Sequence, residues 1–324
     1  MKARSPLPWQ RGLWESLGRQ IDLGRLPHAL LLSGPAGIGK HHLALSLAHR
    51  LLCATPADDG ACGECRQCLL MAAGSHPDFL LVEPEEAGKV IKIEEIRALA
   101  EFAMRTASQG GWRVMVICPA EAMNINAANA FLKTLEEPGR QVLIVLVSHQ
   151  GSAVLPTIRS RCRIVPLAEP PRAAARDWLR GEAPAEGDVD RALDQAGGRP
   201  LLALRFLDPE VQRQLQRFDS ALSGLEEGSL SALAAARELQ DLPGRDLVGW
   251  LQHRVYQRLR EADLLASERS WRFFRFLDRL TQVRQRLFST ANPNPQLLWE
   301  EVLMDWRSVL DFHQRHLRQT SGRD

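Results

Sequence analysis

Between residues 26 and 167, short apolar runs alternate with stretches of helical periodicity. Runs at 29–32, 79–82, 114–117, 142–147 and 164–166 predict the strands of a parallel sheet covered by helices on both faces. The clearest helix lies in Ala127-Ala128-Asn129-Ala130-Phe131-Leu132-Lys133-Thr134-Leu135-Glu136-Glu137-Pro138, where Ala128, Phe131, Leu132 and Leu135 recur at i, i+3, i+4 and i+7. Pro138 and Gly139 stop it. After a proline-containing junction at 166–171 the strand pattern disappears. Residues 168–208 read as a small helical unit, with Asp177-Trp178-Leu179-Arg180 on one helix and Gly197-Gly198-Arg199-Pro200 opening the next. Beyond Pro209 the pattern stays helical: Leu247, Leu251, Val255 and Leu259 repeat every four residues, and Phe273, Phe274, Phe276, Leu277, Leu280, Val283 and Leu287 form a second buried stripe. The intervening Arg254, Arg258, Arg272, Arg275 and Arg279 read as a solvated face. The expected organisation is an α/β domain over 1–167, a small helical domain over 168–208 and an all-α domain over 209–324.

One junction carries chemistry. The apolar run His28-Ala29-Leu30-Leu31-Leu32-Ser33 leads into Gly34-Pro35-Ala36-Gly37-Ile38-Gly39-Lys40 and then into a helical stretch, which is the context a phosphate-binding loop requires. Gly34, Gly37 and Gly39 let backbone N–H groups close around phosphate oxygens, and Lys40 would meet the outer phosphates at a helix N-terminus. The next residue, where a hydrolysing enzyme needs a hydroxyl for magnesium, is His41. The strand at 114–117, where a carboxylate should hold the same metal, ends in Cys118 and Pro119, and Glu121 lies several residues beyond. Phosphate binding can survive these losses; hydrolysis is not expected.

A second cluster is built from thiols. Cys62, Cys65 and Cys68 follow a CxxCxxC spacing, with Cys53 just upstream, so that 53–68 reads as a metal-binding insertion. Four thiolates on short loops suit tetrahedral, structural Zn2+. An iron–sulfur cluster is the rival, but position 72 is Ala where such runs continue to a further Cys. His76 is an alternative fourth ligand, although Cys53 would tie the insertion to its own stem. Cys118 and Cys162 end apolar runs and read as small buried hydrophobes.

Composition narrows the class without naming a partner. The 324 residues exceed one ordinary core, and 45% hydrophobic with 25% charged content is that of a folded globular chain. A net charge of +2 sets no strong field. Lysine occurs only at 2, 40, 89, 92 and 133, so arginine carries nearly all the positive charge along the whole chain, which is no nucleic-acid footprint. Neither a signal-type apolar stretch near Met1 nor a run of membrane-spanning length is present, which predicts a cytoplasmic protein with no membrane partner.

Taken together, the phosphate loop with its thiolate insertion, the 127–138 stretch and Leu155-Pro156-Thr157-Ile158-Arg159-Ser160-Arg161-Cys162 resemble the delta-prime subunits of bacterial DNA polymerase III clamp loaders, relatives of the AAA+ ATPases. Asn292-Pro293-Asn294-Pro295-Gln296-Leu297-Leu298-Trp299-Glu300 is similar to the family's last helix entry. The resemblance covers most of the chain, weakly over 168–290. It implies an AAA+ P-loop domain, a helical lid and a C-terminal collar that joins a five-membered ring. It also implies gamma/tau and delta subunits as partners, with the sliding clamp and primed DNA met through the assembled complex. Within Ser160-Arg161-Cys162 it makes Arg161 an arginine finger, offered in trans to the ATP of a neighbouring subunit. Arg159 and Arg163 lie close enough to share the role, and a plain ion pair for Arg161 in a helix–strand corner is the alternative. His41, Cys118 and Pro119 set the chain apart from hydrolysing paralogues, so no ATPase activity of its own is expected, while Lys40 leaves ATP binding open.

Two rival readings make different demands. An independent P-loop ATPase would show magnesium-dependent turnover abolished by Lys40→Ala. A zinc-containing nucleic-acid-binding protein would need a basic recognition helix beside its cysteines, where Leu69-Leu70-Met71-Ala72-Ala73 stands instead.

Overall fold

The computed structural model describes residues 5–85, 89–109, 111–184, 187–261, 270–287 and 294–320. The chain forms two compact units, Met1–Arg205 and Phe206–Asp324.

In the first unit, helix α1 (Arg11–Asp22) precedes β1 (Ala29–Ser33), α2 (Lys40–Leu52), α3 (Arg66–Ala72), β2 (Phe79–Val82) and α4 (Ile93–Met104). Then come β3 (Arg113–Ile117), α5 (Ile125–Glu136), β4 (Val142–Ser148), the single-turn α6 (Pro156–Arg159) and β5 (Arg163–Pro166). The sheet is parallel throughout, in the order β2-β3-β4-β1-β5. Its strands are continuously apolar because both faces are covered. Leu31, Met115, Ile144 and Leu146 pack on one face with Ile96, Leu99 and Phe131 of α4 and α5. Leu30, Leu32, Val114, Val116, Val145 and Val147 point to the other, against Leu43 and Leu47 of α2 and Trp14 of α1. This two-residue alternation holds β1 in the centre of the core and delivers its carboxyl end, with the loop after it, to the edge where parallel sheets bind ligands.

Helices α7 (Arg172–Glu182) and α8 (Val189–Gln195) follow, and α9 (Pro200–Phe206) runs to the boundary at Arg205 and Phe206. Asp188 caps α8 by accepting from the Arg191 amide at 3.0 Å.

The second unit is helical: α10 (Pro209–Glu227), α11 (Ala232–Leu239), α12 (Gly244–Glu261), α13 (Trp271–Leu287) and α14 (Pro295–Thr320). Asp208 caps α10 through the Glu210 amide at 2.8 Å, and Gly228 ends it at φ 82°. Leu247, Leu251, Val255 and Leu259 are buried as the fourfold spacing requires. Around the fully buried Trp306, the rings of Phe273 and Phe276 sit at 6.0 and 5.3 Å.

Two expectations need correction here. Phe274 is 42% exposed, because a residue adjacent to Phe273 is rotated off the buried stripe. The arginines are also no simple solvated face: Arg254 pairs with Asp219, Arg258 with Glu226, and Arg279 with Glu301 and Asp305, while Arg272 and Arg275 stack on aromatic rings. Their spacing places them along the helix seams, within reach of carboxylates on neighbouring helices. Of the 292–300 stretch, Asn292 and Pro293 lie outside the described residues, and Asn294 accepts from the Leu297 amide at the start of α14.

Candidate functional site

The loop from Gly34 to Lys40 joins β1 to α2, with Gly34, Gly37 and Gly39 at φ of 154°, 84° and 91°. Glycine is needed at the last two for a second reason. A Cβ on Gly39 would stand 2.3 Å from Leu7 Cδ1, and one on Gly37 would stand 2.8 Å from Leu202 Cβ. The loop's carbonyls are spent inside the protein. Trp9 Nε1 donates to Ile38 O at 2.9 Å, Gln10 Nε2 to Gly39 O at 2.8 Å and the Leu201 amide to Gly37 O at 3.0 Å. The amides of Ala36, Gly37, Ile38 and Gly39 make no hydrogen bond among the described residues. What the loop has left to offer is therefore N–H groups, which is an anion-binding arrangement.

Lys40 is 2% exposed, and its ammonium donates to the carbonyl of Pro35 in its own loop. Burial brings its pKa down from 10.5 to about 8, against the raising influence of Glu121 and Cys118, and the charge of Arg199 lowers it further. His41 Nε2 stands 3.7 Å from a Glu83 carboxylate oxygen, and burial lowers the imidazole pKa, which favours the neutral form. The residue after Lys40 thus offers a nitrogen where magnesium takes oxygen. At the end of β3, Cys118 is buried and joined to Pro119 by a cis peptide. Glu121 faces inward, but its Oε1 accepts from the His149 amide at 2.9 Å and it forms no ion pair with Lys40 among the described residues.

At the other end of α2, Cys53 caps the helix, and Cys65 caps α3. The sulfurs of Cys53, Cys62, Cys65 and Cys68 all lie within 4.8 Å of one another. Pairs are separated by 3.5 Å (Cys53–Cys62), 3.9 Å (Cys53–Cys65) and 3.9 Å (Cys62–Cys68), and none forms a disulfide. Four sulfurs held tetrahedrally at ~2.3 Å from one ion would be ~3.8 Å apart, so the quartet has the dimensions of a single-ion site. A multi-iron cluster would push the sulfurs further apart. The amides of Cys62, Cys65 and Cys68 each donate to a sulfur of the set at 3.4 Å, the outer-shell support that thiolate ligands need. The Thr55 side chain, with the amides of Glu64 and Cys65, brings the Cys62 thiol down to about 6. His76 stands outside the quartet, its Nδ1 accepting from the Asp78 amide at 3.0 Å. Trp14 Nε1 and Arg50 both donate to Asp58 O, which ties the insertion to α1 and α2.

Ser160-Arg161-Cys162 forms the turn between α6 and β5. Cys162 packs on the core, and burial raises its thiol to about 12. Ser160 Oγ donates to Thr157 O. Arg161 is one-third exposed; its Nε donates to Glu136 Oε1 at 2.8 Å and its Nη1 to Thr157 O at 3.0 Å. The corner ion pair is real, but a partly exposed pair is worth only ~0–1 kcal/mol, so Glu136 holds the guanidinium in place without committing it. Arg159 is half-buried and Arg163 exposed.

The family described as DNA polymerase III, delta subunit, matches residues 9–171, half of the chain. DNA polymerase III subunit delta' of Pseudomonas aeruginosa is 39% identical over 323 residues, covering 93% of this chain and 97% of its own length. The chain belongs to the delta-prime family of DNA polymerase III subunits. The delta-prime subunit of Escherichia coli is 30% identical over 315 residues, 92% of this chain and 94% of that one. This delta-prime chain is accordingly a clamp-loader component. A gamma subunit-related protein of Thermotoga maritima superposes with a TM-score of 0.51 at 22% identity, covering 92% of this chain and 99% of its own, and supports the AAA+ fold. Among the described residues no helix is long and apolar enough to cross a membrane.

Three residues around the delta-prime loop escape sequence reasoning. Trp9 and Gln10 hold its carbonyls from 29 residues away, and no local pattern announces a long-range clasp. Arg199 is half-buried beside Gly37 and Lys40, and its only trace in the sequence is its position after the Gly197-Gly198 turn.

Proposed function

We infer that this delta-prime subunit takes part in loading the sliding clamp onto primed DNA without hydrolysing ATP itself, and that it supplies Arg161 in trans to the ATP of a neighbouring gamma/tau subunit. The observation that carries the reading is the contrast between Lys40 and Arg161: Lys40 is buried on its own loop carbonyl, and Arg161 stands on the surface under a weak carboxylate restraint. Gly34, Gly37, Gly39 and Lys40 retain a cradle that can take phosphate. With nitrogen at position 41, Cys118 and Pro119 at the end of β3, and Glu121 several residues beyond and held through Oε1 by the His149 amide, the cradle lacks the usual ligands that would hold magnesium. Cys53, Cys62, Cys65 and Cys68 hold a structural Zn2+ with no open position for chemistry. In this reading the AAA+ domain spans 1–167, the lid 168–208 and the ring-forming collar 209–324, with gamma/tau and delta as neighbours and a cytoplasmic location.

The deciding experiment is Arg161→Ala in the reconstituted loader, with clamp-stimulated ATP hydrolysis and loading both measured. An arginine finger is commonly worth ~10³–10⁵ in rate at the site it serves. A normal assembly with sharply reduced hydrolysis and loading is the expected result; an assembled complex with unchanged rates would reject the assignment.

A further inference from the structure

The corner around Arg161 grips its guanidinium from two sides and leaves its end uncovered. Arginine has five N–H donors in a planar fork. Nε and Nη2 both donate to one oxygen of Glu136, Oε1, the Nε contact at 2.8 Å. Nη1 donates to Thr157 O at 3.0 Å and lies 3.5 Å from Ser160 Oγ. Those two acceptors are themselves joined by a hydrogen bond of 3.1 Å, so they stand close enough to share one hydrogen. Among the described residues this leaves one N–H on each terminal nitrogen, the pair that a phosphate takes in a forked contact. Glu136 sits on the Nε side of the guanidinium, so it steers that end without occupying it.

Both partners are carried by packed elements. Glu136 is the last residue of α5, a helix anchored by the buried Phe131 and Leu135 and stopped by Pro138 and Gly139. The Leu135 carbonyl, one of those a helix end leaves unpaired, accepts from His28 Nε2 at 2.9 Å, which pins the end of α5 beside the entry to β1. Ile158 of α6 and Cys162 pack on the same core as Leu135. The separation of Glu136 from Arg161 is therefore set by the core, as a site that must be aimed requires. In the isolated chain Glu136 is half exposed, and such a contact restrains only weakly. A subunit packed over Arg161 excludes water from Glu136 as well, and the same contact strengthens as the local dielectric falls. We propose that Glu136 is a positioning residue for the finger: it fixes the plane of the Arg161 guanidinium so that the two remaining N–H groups face the terminal phosphate of the neighbour's ATP.

This role rests on the reading of Arg161 as the finger, and a set of variants separates the two. In the reconstituted loader, Glu136→Ala, Glu136→Gln, Arg161→Ala and the double variant Glu136→Ala with Arg161→Ala are compared for kcat and KM of clamp-stimulated ATP hydrolysis, once normal assembly has been verified. Glu136→Ala should lower kcat about tenfold at the site it serves and leave KM for ATP within about twofold, because a misaimed group weakens the transition state more than the ground state. Glu136→Gln keeps an oxygen acceptor and should retain more of the rate. The double variant should be no slower than Arg161→Ala alone, since Glu136 acts only through Arg161. A normal kcat for Glu136→Ala beside a slow Arg161→Ala would overturn the proposal and leave the finger standing. So would a faster Glu136→Ala, which would make Glu136 a brake, or a double variant slower than Arg161→Ala. A silent Arg161→Ala would remove the finger, and the positioning role with it.

Discussion

Helix α2 begins at Lys40 and ends next to Cys53, and its two ends are built from different materials. The phosphate loop at its amino end is shaped by backbone: positive φ at three glycines and carbonyls clasped by Trp9, Gln10 and Leu201. Such a shape persists when a side chain changes, so a histidine can replace the magnesium-binding hydroxyl and leave the cradle standing. The cysteine quartet at the carboxyl end is made of side chains that converge on one centre. A site shaped by backbone keeps its form when one side chain changes, whereas a site shaped by side chains depends on each of them.

The largest expected effect falls at the carboxyl end. Cys65→Ser removes a proposed ligand while keeping a good cap for α3, and the protein should lose its metal, about one zinc per chain by elemental analysis, together with stability on the order of several kcal/mol in thermal or denaturant unfolding. Iron in place of zinc, or no metal with an unaltered melting temperature, would remove the distinction between the two ends.

At the amino end a substitution should stabilise. Lys40 titrates near 8 in the fold and near 10.5 when unfolded, so the folded state carries the full cost of the buried charge below pH 8. Between those values the unfolded chain holds more protons, and stability from this group rises with pH. Lys40→Met should raise stability by roughly 1–3 kcal/mol at pH 7, with the gain fading between pH 8 and 10.5, as followed by unfolding across that range. A loss that is the same at every pH would mean that the hydrogen bond to Pro35 outweighs the burial of the charge.

The smallest expected effect is zero. His41→Thr restores a hydroxyl, but the end of β3 still presents Cys118 and Pro119, so the isolated chain should show no magnesium-dependent ATP turnover. Turnover above background that is abolished by adding Lys40→Ala would show that one side chain was all the loop had lost.

Local patterns carried much of this. The five strands were legible because a sheet buried on both faces requires continuous apolar runs, and the helix after Asn124 because its stripe repeats at helical spacing. The cysteine cluster was legible because its ligands are close in sequence, and the structure separates Cys53 from the alternative His76 by geometry. Phe274 and the arginines of α12 and α13 were misread for a common reason: periodicity gives a face, but the width of that face depends on which helix lies opposite.

By itself the sequence determined the order of elements, the loop that follows β1, the missing oxygen ligands at 41 and 118, and the grouping of thiols, because each is written within a few turns of chain. Tertiary structure alone decided that Trp9 and Gln10 hold the loop, that Arg199 stands beside Lys40, that Glu136 restrains Arg161 and that Arg272 stacks on Phe312. Those contacts join residues tens of positions apart, and the folding of the intervening chain sets the distance between them.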